Sequence, residues 1–224
     1  MARNITIANQ KGGVGKTTTT LNLAASLGEA KQKVLLLDFD PQGNAGSGLG
    51  VRDAEKSIYE VLSGELPVED ILYTEIVENV DFLPGNRNLA AMDAELANEE
   101  NKNYFLKDVL DKIEKDYDYI FIDCPPSLGT LTINALTASH SVLIPIQCEY
   151  YALEGLSQML ETIQTVREAL NEALSIEGIL FTMYDGRNLL SQDVVRAVKE
   201  HFTVTIFNTI IPRNVRLAEA PSHG

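Results

Sequence analysis

The sequence predicts a single α/β domain built on a mostly parallel, twisted sheet with helices on both faces. Segments with strand-like hydrophobic patterns alternate along the 224 residues with segments of helical period, which is typical of βαβ units and parallel sheets. The run "KVLLLD" (33–38) places four apolar residues in succession, as expected for a strand that is covered on both faces. Because there is no internal repeat, low-complexity tract or linker, we expect one domain over residues 1–224.

The elements follow in order along the chain. "ITIAN" forms the first strand and leads into a glycine-rich loop, and the helix over 17–29 places Thr20, Leu23, Ala24 and Leu27 on one face. Further strands are predicted at 33–38, 80–85, 117–125, 140–146, 177–182 and 205–211. Further helices are predicted near 87–98, 103–115, 130–138, 153–174 and 189–201. The last stretch, "RNVRLAEAPSHG", has neither pattern, and we expect the domain to be truncated at its C-terminal end.

The loop "NQKGGVGKTTTT" resembles a phosphate-binding loop with one departure and one addition. The ordinary pattern is G-x-x-x-x-G-K-[ST], and Gly15, Lys16 and Thr17 fill its second half. Gln10 stands where the first glycine belongs, and Lys11 beside it is not required by the pattern. A strand precedes the loop and a helix follows it, which is the context that such a loop needs. We therefore predict a P-loop fold, and an incidental glycine-rich turn is the disfavoured alternative.

The residue types of this loop fit the binding of phosphate. Gly12, Gly13 and Gly15 allow the backbone amides to turn inward around phosphate oxygens, and the helix N-terminus adds a partial positive charge. Lys16 is expected to neutralise the β- and γ-phosphate oxygens, and the Thr17 hydroxyl to bind Mg²⁺.

Two carboxylates follow the strand "KVLLLD". Asp38 ends this strand, and Asp40 comes two residues later in a loop rich in glycine and asparagine. Ligands of parallel sheets bind beyond the carboxyl ends of the strands, so Asp40 is predicted to orient an attacking water and Asp38 to support the metal. A turn-forming role before Pro41 is the alternative, which the neighbouring phosphate loop disfavours.

A third carboxylate, Asp123, ends the strand in "YIFIDCPPS". An acid after four apolar residues is the Walker B arrangement, which holds Mg²⁺ through water. The following loop, with its two prolines and Gly129, is a candidate γ-phosphate switch. Cys124 and Cys148 could be redox or cluster ligands, but we favour small buried residues for both.

The charge distribution bears on the partners. The formal net charge of -14 argues against a wholly basic nucleic-acid binder. However, residues 183–224 hold 5 Lys and Arg against 4 Asp and Glu, while the remainder holds 13 against 28. Contact with a polyanion is therefore expected in the C-terminal part, where Arg187, Arg213 and Arg216 follow strands; surface salt bridges are the alternative.

No targeting or membrane segment is evident. No apolar run approaches the roughly 20 residues that span a bilayer, the N-terminus lacks the pattern of a signal peptide, and two cysteines do not suggest a disulfide framework. We expect a cytoplasmic protein.

With these residues assembled, the chain closely resembles the ParA/Soj family of chromosome and plasmid partition ATPases. The matching stretches are "KGGVGKTT", "DFDPQGNAGSGLG", "FIDCPPSLGTLTINAL", "QCEYYALEGL", "TMYDGR" and "IIPRNVRLAEAPSHG". The family has a deviant Walker A motif, whose extra lysine corresponds here to Lys11. The resemblance implies that this lysine reaches the nucleotide of a partner subunit, so that two ATP molecules lie between two protomers, and that the cation acts in trans like an arginine finger.

The resemblance implies further partners and sites. Mg²⁺ and ATP are the expected cofactors, and Val14 and Thr18 complete the nucleotide-binding loop. Adenine recognition is expected near Met183, Pro212 and Asn214. The ATP-bound homodimer is expected to bind double-stranded DNA without sequence preference through Arg187 and Arg216, on the nucleoid. A ParB-type protein is expected to stimulate the slow hydrolysis and release the DNA.

Three rival functions remain open. A MinD-like positioning ATPase would bind membranes through a basic amphipathic helix at its C-terminal end, which the sequence does not show. An iron-protein-like reductase would share a cluster between subunits, but Cys124 directly follows Asp123, the wrong loop position for a bridging ligand. A nucleotide-dependent scaffold without useful turnover is disfavoured by Asp40.

Overall fold

The computed structural model describes residues 2–96 and 99–222. The strands in these ranges are β1 (Arg3–Ile7), β2 (Val34–Asp38), β3 (Tyr73–Val77), β4 (Val80–Leu83), β5 (Tyr119–Asp123), β6 (Ser141–Gln147), β7 (Ser175–Tyr184) and β8 (Ile206–Pro212). The α-helices are α1 (Lys16–Glu29), α2 (Asn44–Gly48), α3 (Ile58–Leu62), α4 (Met92–Glu95), α5 (Phe105–Ile113), α6 (Thr130–Thr137), α7 (Ala152–Ala169), α8 (Leu189–His201) and α9 (Val215–Glu219).

All eight strands belong to one sheet, in the order β3-β4-β2-β5-β1-β6-β7-β8. Every neighbouring pair is parallel except β3 and β4, which are antiparallel at the edge. The first strand therefore lies inside the sheet, between β5 and β6. This confirms the predicted mostly parallel sheet.

Helices cover both faces of the sheet, because alternate residues of each strand point to opposite sides. Leu35 and Leu37 of β2 pack in the larger core with α3, α5, α6, α7 and α8. Val34 and Leu36 pack in the smaller core with α1 and α2. The continuous apolar pattern of β2, whose five residues are all buried, follows from this two-sided cover. The prediction of helices on both faces is confirmed.

The predicted helix over 87–98 is wrong as a single element. Residues Arg87–Ala91 form a 3-10 helix and only Met92–Glu95 are α-helical, while 97 and 98 lie outside the described residues. The Asn86 side chain accepts a hydrogen bond from the Asn88 amide and begins the 3-10 segment. The predicted helix over 153–174 also ends early, at Ala169.

Four elements were not predicted. The strand β3 is largely exposed and completes a hairpin through a turn in which Asn79 has φ 59°, so its hydrophobic pattern is weak. The helix α3 has a capping box of Ser57 and Glu60, a sequence signal that could have revealed it. The sequence of α2 resembles that of a loop because it consists of Asn, Ala, Ser and Gly. The terminal stretch, predicted to lack regular structure, contains α9, whose first turn is capped by Asn214.

No helix within residues 2–96 or 99–222 combines the length and the apolar character needed to cross a bilayer.

Candidate functional site

The candidate site lies at the carboxyl ends of β1, β2 and β5. The sheet register pairs Asp123 with Ile7 on one side and with Asp38 on the other. The glycine loop leaves β1, and the Asp40 loop leaves β2. Because β1 lies between β5 and β6, neighbouring connections diverge here, and such a point is where open parallel sheets bind their ligands. The fold thus brings together the loop and all three predicted carboxylates.

The glycine loop is shaped to receive a ligand. Gly13 and Gly15 have φ angles of 72° and 88°, in the left-handed region that side chains disfavour. A Cβ atom at Gly13 would meet nothing within 4 Å, so open space faces this part of the loop. The loop ends at α1, whose N-cap is Gly15. Backbone amides and the positive end of a helix therefore converge beside a space that suits phosphate oxygens.

Two buried side chains, which sequence reasoning missed, fasten the loop to neighbouring strands. Asn9 donates from Nδ2 to the Pro145 carbonyl oxygen over 2.7 Å and accepts from the Lys11 amide over 2.9 Å. Thr182, near the end of β7, donates from Oγ1 to the Val14 carbonyl oxygen over 2.7 Å. The strand signal of "EGILFT" ended at Thr182, but no local pattern indicated its distant partner.

Lys16 belongs to the interior of the loop. The residue is 6% exposed, and its Nζ donates to the Lys11 carbonyl oxygen over 3.1 Å. Burial lowers the pKa of Lys16, and nearby negative groups including Asp123 and Asp40 oppose this effect. Lys16 is thus a buried cation that faces the backbone of its own loop.

Lys11 points elsewhere. Its Nζ lies 2.5 Å from Oε2 of Glu149, and its side chain is 36% exposed. The other carboxylate oxygen of Glu149 accepts from Gln147 Nε2 over 2.5 Å. The two lysines of the loop therefore have separate partners, and Glu149 was not singled out from the sequence.

Thr17 and Asp123 form the candidate metal site. The Thr17 hydroxyl donates to Asp123 Oδ2 over 2.6 Å, and the buried Thr20 hydroxyl donates to Oδ1 over 3.2 Å. Among the described residues there is no cluster of three or more His, Cys, Asp and Glu side chains that could hold a metal ion. A hydroxyl and one carboxylate fit Mg²⁺, which is usually bound by few protein groups together with water and substrate phosphates.

Asp38 lies beside this pair and organises the next loop. Its Oδ1 accepts from the Asp40 amide over 3.1 Å, and its Oδ2 accepts from the amides of Ala45 and Gly46 over 2.9 and 3.2 Å. Burial raises the pKa of Asp38 and of Asp123, and the negative charge of Asp38 raises that of Asp123 further. A cation at this point would favour the ionised forms of both.

Asp40 is buried next to Asp38. It is 5% exposed, and its Oδ1 accepts from the Gln42 amide over 2.9 Å. On the other side of the phosphate loop, a Cβ atom at Gly12 would lie 3.7 Å from Cβ of Pro126. The loop after β5 thus borders the glycine loop, and the charge of Asp40 in the loop after β2 acts on Lys16.

A small cavity of about 160 Å³ joins the loop to the ends of β7 and β8. It brings together the three residues predicted for adenine recognition, Met183, Pro212 and Asn214, with Gly15 and Thr18. Met183 has φ 49°, an uncommon conformation for a side-chain-bearing residue. The cavity has apolar walls beside the phosphate loop, as a planar base would require.

The predicted DNA-binding arginines lie beyond this cavity. Arg187 has a side chain that is 92% exposed and donates to both carboxylate oxygens of Asp185, from Nε over 3.0 Å and from Nη2 over 2.9 Å. Hydrogen bonds from Arg187 hold the pKa of Asp185 at about 2. Arg216 is exposed on α9, and the Arg213 amide donates to the Tyr184 carbonyl oxygen, which joins the two arginine-bearing loops.

Both cysteines are buried. Burial raises the pKa of Cys124 well above its ordinary value and that of Cys148 to about 11. Neutral buried thiols are unreactive, which agrees with the interpretation of both as small core residues.

Comparisons with known proteins agree with this site. A family model described as "AAA domain" matches residues 2–176. The sporulation initiation inhibitor protein Soj of Bacillus subtilis is 54% identical over 226 residues, which cover 100% of this chain and 89% of the relative. The chromosome partitioning protein ParA of Myxococcus xanthus is 51% identical, with 100% of this chain and 80% of the relative covered.

A solved structure with the same fold contains a nucleotide. Cobyrinic acid a,c-diamide synthase of Mycobacterium smegmatis, with bound ADP and magnesium, superposes with a TM-score of 0.90 at 40% identity, covering 99% of this chain and 92% of the other. The deviant phosphate loop, the three strand-end carboxylates and the likeness to Soj and ParA over the full chain agree with one another. The chain therefore belongs to the ParA/Soj family of partition ATPases.

Proposed function

We propose that this chain hydrolyses ATP slowly, forms a homodimer in the ATP-bound state and binds double-stranded DNA without sequence preference. In this function it partitions a chromosome or plasmid with a ParB-type protein that stimulates hydrolysis. The protein would act in the cytoplasm, on the nucleoid. Relatives at about half identity over the whole chain are named chromosome partitioning proteins, which supports the role.

Each residue of the proposed nucleotide site has one role. Amides of Gly12, Gly13, Val14 and Gly15, with the Lys16 ammonium, bind phosphate oxygens. The Thr17 hydroxyl and Asp123 hold Mg²⁺, and Thr18 lines the cavity for the base with Met183, Pro212 and Asn214. When bound, magnesium ATP supplies the phosphoryl group and the charge that the loop neutralises.

Asp38 and Asp40 act together in the proposed hydrolysis. The Asp38 carboxylate accepts hydrogen bonds from three backbone amides of the segment that follows β2. It therefore supports the metal side of the site by fixing this segment. Asp40 is fixed in turn, with one carboxylate oxygen accepting from Gln42. A carboxylate held next to the phosphate loop can orient a water molecule and accept its proton.

The observation that carries the dimer is the orientation of the two lysines. Lys16 crosses its own loop and is buried, so it already supplies the cation for phosphate binding within one protomer. Lys11 turns away from the loop to Glu149 at a partly exposed position. A second cation in the loop that does not face its own site is suited to the nucleotide of another protomer.

DNA binding is assigned to Arg187 and Arg216. Both are exposed beyond the ends of β7 and β8, in the C-terminal region whose charge is close to neutral, while the rest of the chain is strongly acidic. A dimer presents each arginine twice, so ATP-dependent dimerisation increases the number of phosphate contacts. Such contacts carry no sequence information and weaken as salt increases.

The decisive experiment compares Lys11→Ala with Lys16→Ala. Lys11→Ala should keep the affinity of the monomer for a fluorescent ATP analogue but prevent ATP-dependent dimerisation, measured by sedimentation velocity. Lys16→Ala should lose nucleotide binding itself. Lys107→Ala is the matched control, because Lys107 also forms a partly exposed ion pair, with Asp111, but lies on α5.

Two results would reject the proposed dimer. One is loss of nucleotide by Lys11→Ala as complete as that of Lys16→Ala, and the other is normal ATP-dependent dimerisation of Lys11→Ala. Sedimentation of the wild-type protein with ADP, with ATP, and with ATP and two unrelated duplexes tests DNA binding in the same series.

A further inference from the structure

The two segments that carry the proposed DNA-binding arginines also form walls of the cavity beside the phosphate loop. One segment runs from Met183, near the end of β7, to Arg187, and the other runs from Pro212, the last residue of β8, to Arg216. Met183 and Pro212 both line the cavity of about 160 Å³ that is proposed to hold the base. Each arginine therefore lies four residues beyond a residue that a bound base would contact.

The helix α9, which carries Arg216, is itself part of the cavity wall. Leu217 and Ala218 of this helix line the cavity. Asn214 lines it as well, and its Oδ1 accepts a hydrogen bond from the Arg216 amide over 2.9 Å, which caps the first turn of α9. A residue that borders the base thus fixes the start of the helix on which Arg216 stands.

The two segments are joined to each other. The Arg213 amide donates to the Tyr184 carbonyl oxygen over 3.0 Å, next to the point where Tyr184 pairs with Pro212 in the sheet. Asp185, which follows Tyr184, forms the ion pair with Arg187. A shift of one segment is therefore transmitted to the other through the backbone.

The helix α9 has little buried surface of its own. None of its five residues is buried, and Val215 is 69% exposed. A helix of one or two turns has little intrinsic stability, so its position depends on what fills the cavity beside Leu217. Elements with few buried contacts are those that a ligand can order.

We propose that the nucleotide base, and not only the phosphates, sets the DNA affinity of each protomer. A base in the cavity would close α9 against the segment of Met183 and fix Arg216 and Arg187 at a defined spacing, with Asn214 as the positioning residue. The phosphates control dimerisation through the loop, and the base controls how each protomer presents its arginines. This coupling rests on the proposed nucleotide and DNA sites and adds the connection between them.

The first experiment measures closure without DNA and without a dimer. Amide hydrogen exchange of the wild-type protein is compared with saturating magnesium ADP and with saturating magnesium ribose diphosphate, which has the same phosphates and sugar but no base. Peptides covering 184–188 and 212–219 should exchange about fivefold or more slowly with ADP, the lower end of typical coupling between sites. The phosphate loop should be protected equally by both ligands.

The second experiment measures DNA binding in the same two states. Fluorescence anisotropy on a duplex is recorded at about 0.05 M salt, where weak phosphate contacts are strengthened, and sedimentation checks that the oligomeric state is the same with both ligands. The affinity for DNA should be about fivefold or more higher with ADP than with ribose diphosphate. Because coupling is reciprocal, the duplex should increase the affinity for ADP by the same factor relative to ribose diphosphate.

Variants of the cap identify the positioning residue. Asn214→Ala should abolish the difference between ADP and ribose diphosphate in both experiments, even at saturating ligand, and Asn214→Ser, which keeps a capping oxygen, should restore it. Asn86→Ala is the matched control, because the Asn86 side chain caps residues Arg87–Ala91 by the same kind of hydrogen bond but does not line the cavity. A general loss of stability would affect the two liganded states alike and would leave their difference unchanged.

Several outcomes would overturn the proposal. Equal exchange of the two segments with ADP and with ribose diphosphate excludes closure by the base, and a full ADP effect in Asn214→Ala excludes the positioning role. Slower exchange with equal DNA affinities excludes the coupling. If Asn214→Ala does not fold, the wild-type comparison decides alone. Absence of DNA binding with ADP and ATP alike would refute the proposed DNA site instead, and a failure to dimerise with ATP leaves all these comparisons unchanged.

Discussion

Replacing Thr182 with valine tests whether the strand β7 positions the phosphate loop. The change keeps the shape of the side chain and removes only the hydroxyl, which donates to the Val14 carbonyl oxygen over 2.7 Å. Thr182 is 4% exposed, so water does not readily replace the lost donor. The carbonyl oxygen of the loop is then left without this hydrogen bond.

The size of the effect follows from that geometry. Leaving a buried carbonyl unsatisfied costs about 1–3 kcal/mol, so the free energy of unfolding should fall by this amount. Nucleotide affinity falls less, because the hydrogen bond is lost from the free and the bound state alike. Only the preorganisation of the loop differs between these states, and we expect the dissociation constant to increase by about 3- to 10-fold, equivalent to ~0.7–1.4 kcal/mol.

The assay combines thermal unfolding with titration of a fluorescent ATP analogue. Thr162→Val is the matched control, because the Thr162 hydroxyl donates to a backbone carbonyl, that of Gln158, over 3.0 Å at a partly exposed position of α7. The control should leave both quantities near their wild-type values. Wild-type nucleotide affinity in a destabilised Thr182→Val protein would refute the positioning role, since stability alone would then depend on this bond.

Three further predictions concern the loops around the site. Asp40→Ala should bind ATP, hydrolyse it at least about 100-fold more slowly and accumulate as a dimer in gel filtration; normal turnover would contradict its role. Gly85→Ala would place a Cβ atom 2.5 Å from the Asp38 carbonyl oxygen. Thermal unfolding should therefore show destabilisation by about 1–3 kcal/mol, and turnover should fall. Gly155→Ala is the control and should change neither quantity, because a Cβ atom there meets nothing within 4 Å. Asp185→Asn releases Arg187 and removes a negative charge, so affinity for unrelated duplexes in fluorescence anisotropy should increase severalfold; unchanged or weaker binding would indicate that Asp185 preorganises Arg187.

The parts of the fold that the sequence predicted are those with a strong local signal. The buried strand β2 has an uninterrupted apolar run, and long helices such as α8 repeat an apolar face at the helical period. The strand β3 was missed because an exposed edge strand needs no apolar pattern. The helix α2 was missed because its stability depends on a group outside the helix: the Asp38 carboxylate accepts hydrogen bonds from the amides of Ala45 and Gly46, and no helix propensity in "NAGSG" reflects that.

The residues of the candidate site also fall into those with a strong local sequence signal and those without one. Lys16, Thr17 and Asp123 could be selected because each stands in a short pattern with a direct chemical meaning. Thr182 and Glu149 could not, since their partners lie 168 and 138 residues away in the chain. Such residues act by fixing a loop or a side chain, and only the arrangement of strands β6 and β7 on one side of β1 reveals them.

The different surroundings of the two loop lysines bear on the proposed dimer, in which one loop would serve two protomers. Lys16 is buried among its own loop atoms, and moving it out would take its positive charge away from Asp123 and Asp40. Lys11 is held by a partly exposed ion pair with Glu149, and such pairs contribute only ~0–1 kcal/mol. Breaking the Lys11 pair is therefore a small cost compared with the interaction of an ammonium with the phosphates of a nucleotide in a closed interface. In the proposed dimer, Lys11 would stay paired with Glu149 in the monomer and would change partner only when a second protomer supplies the phosphates of its nucleotide.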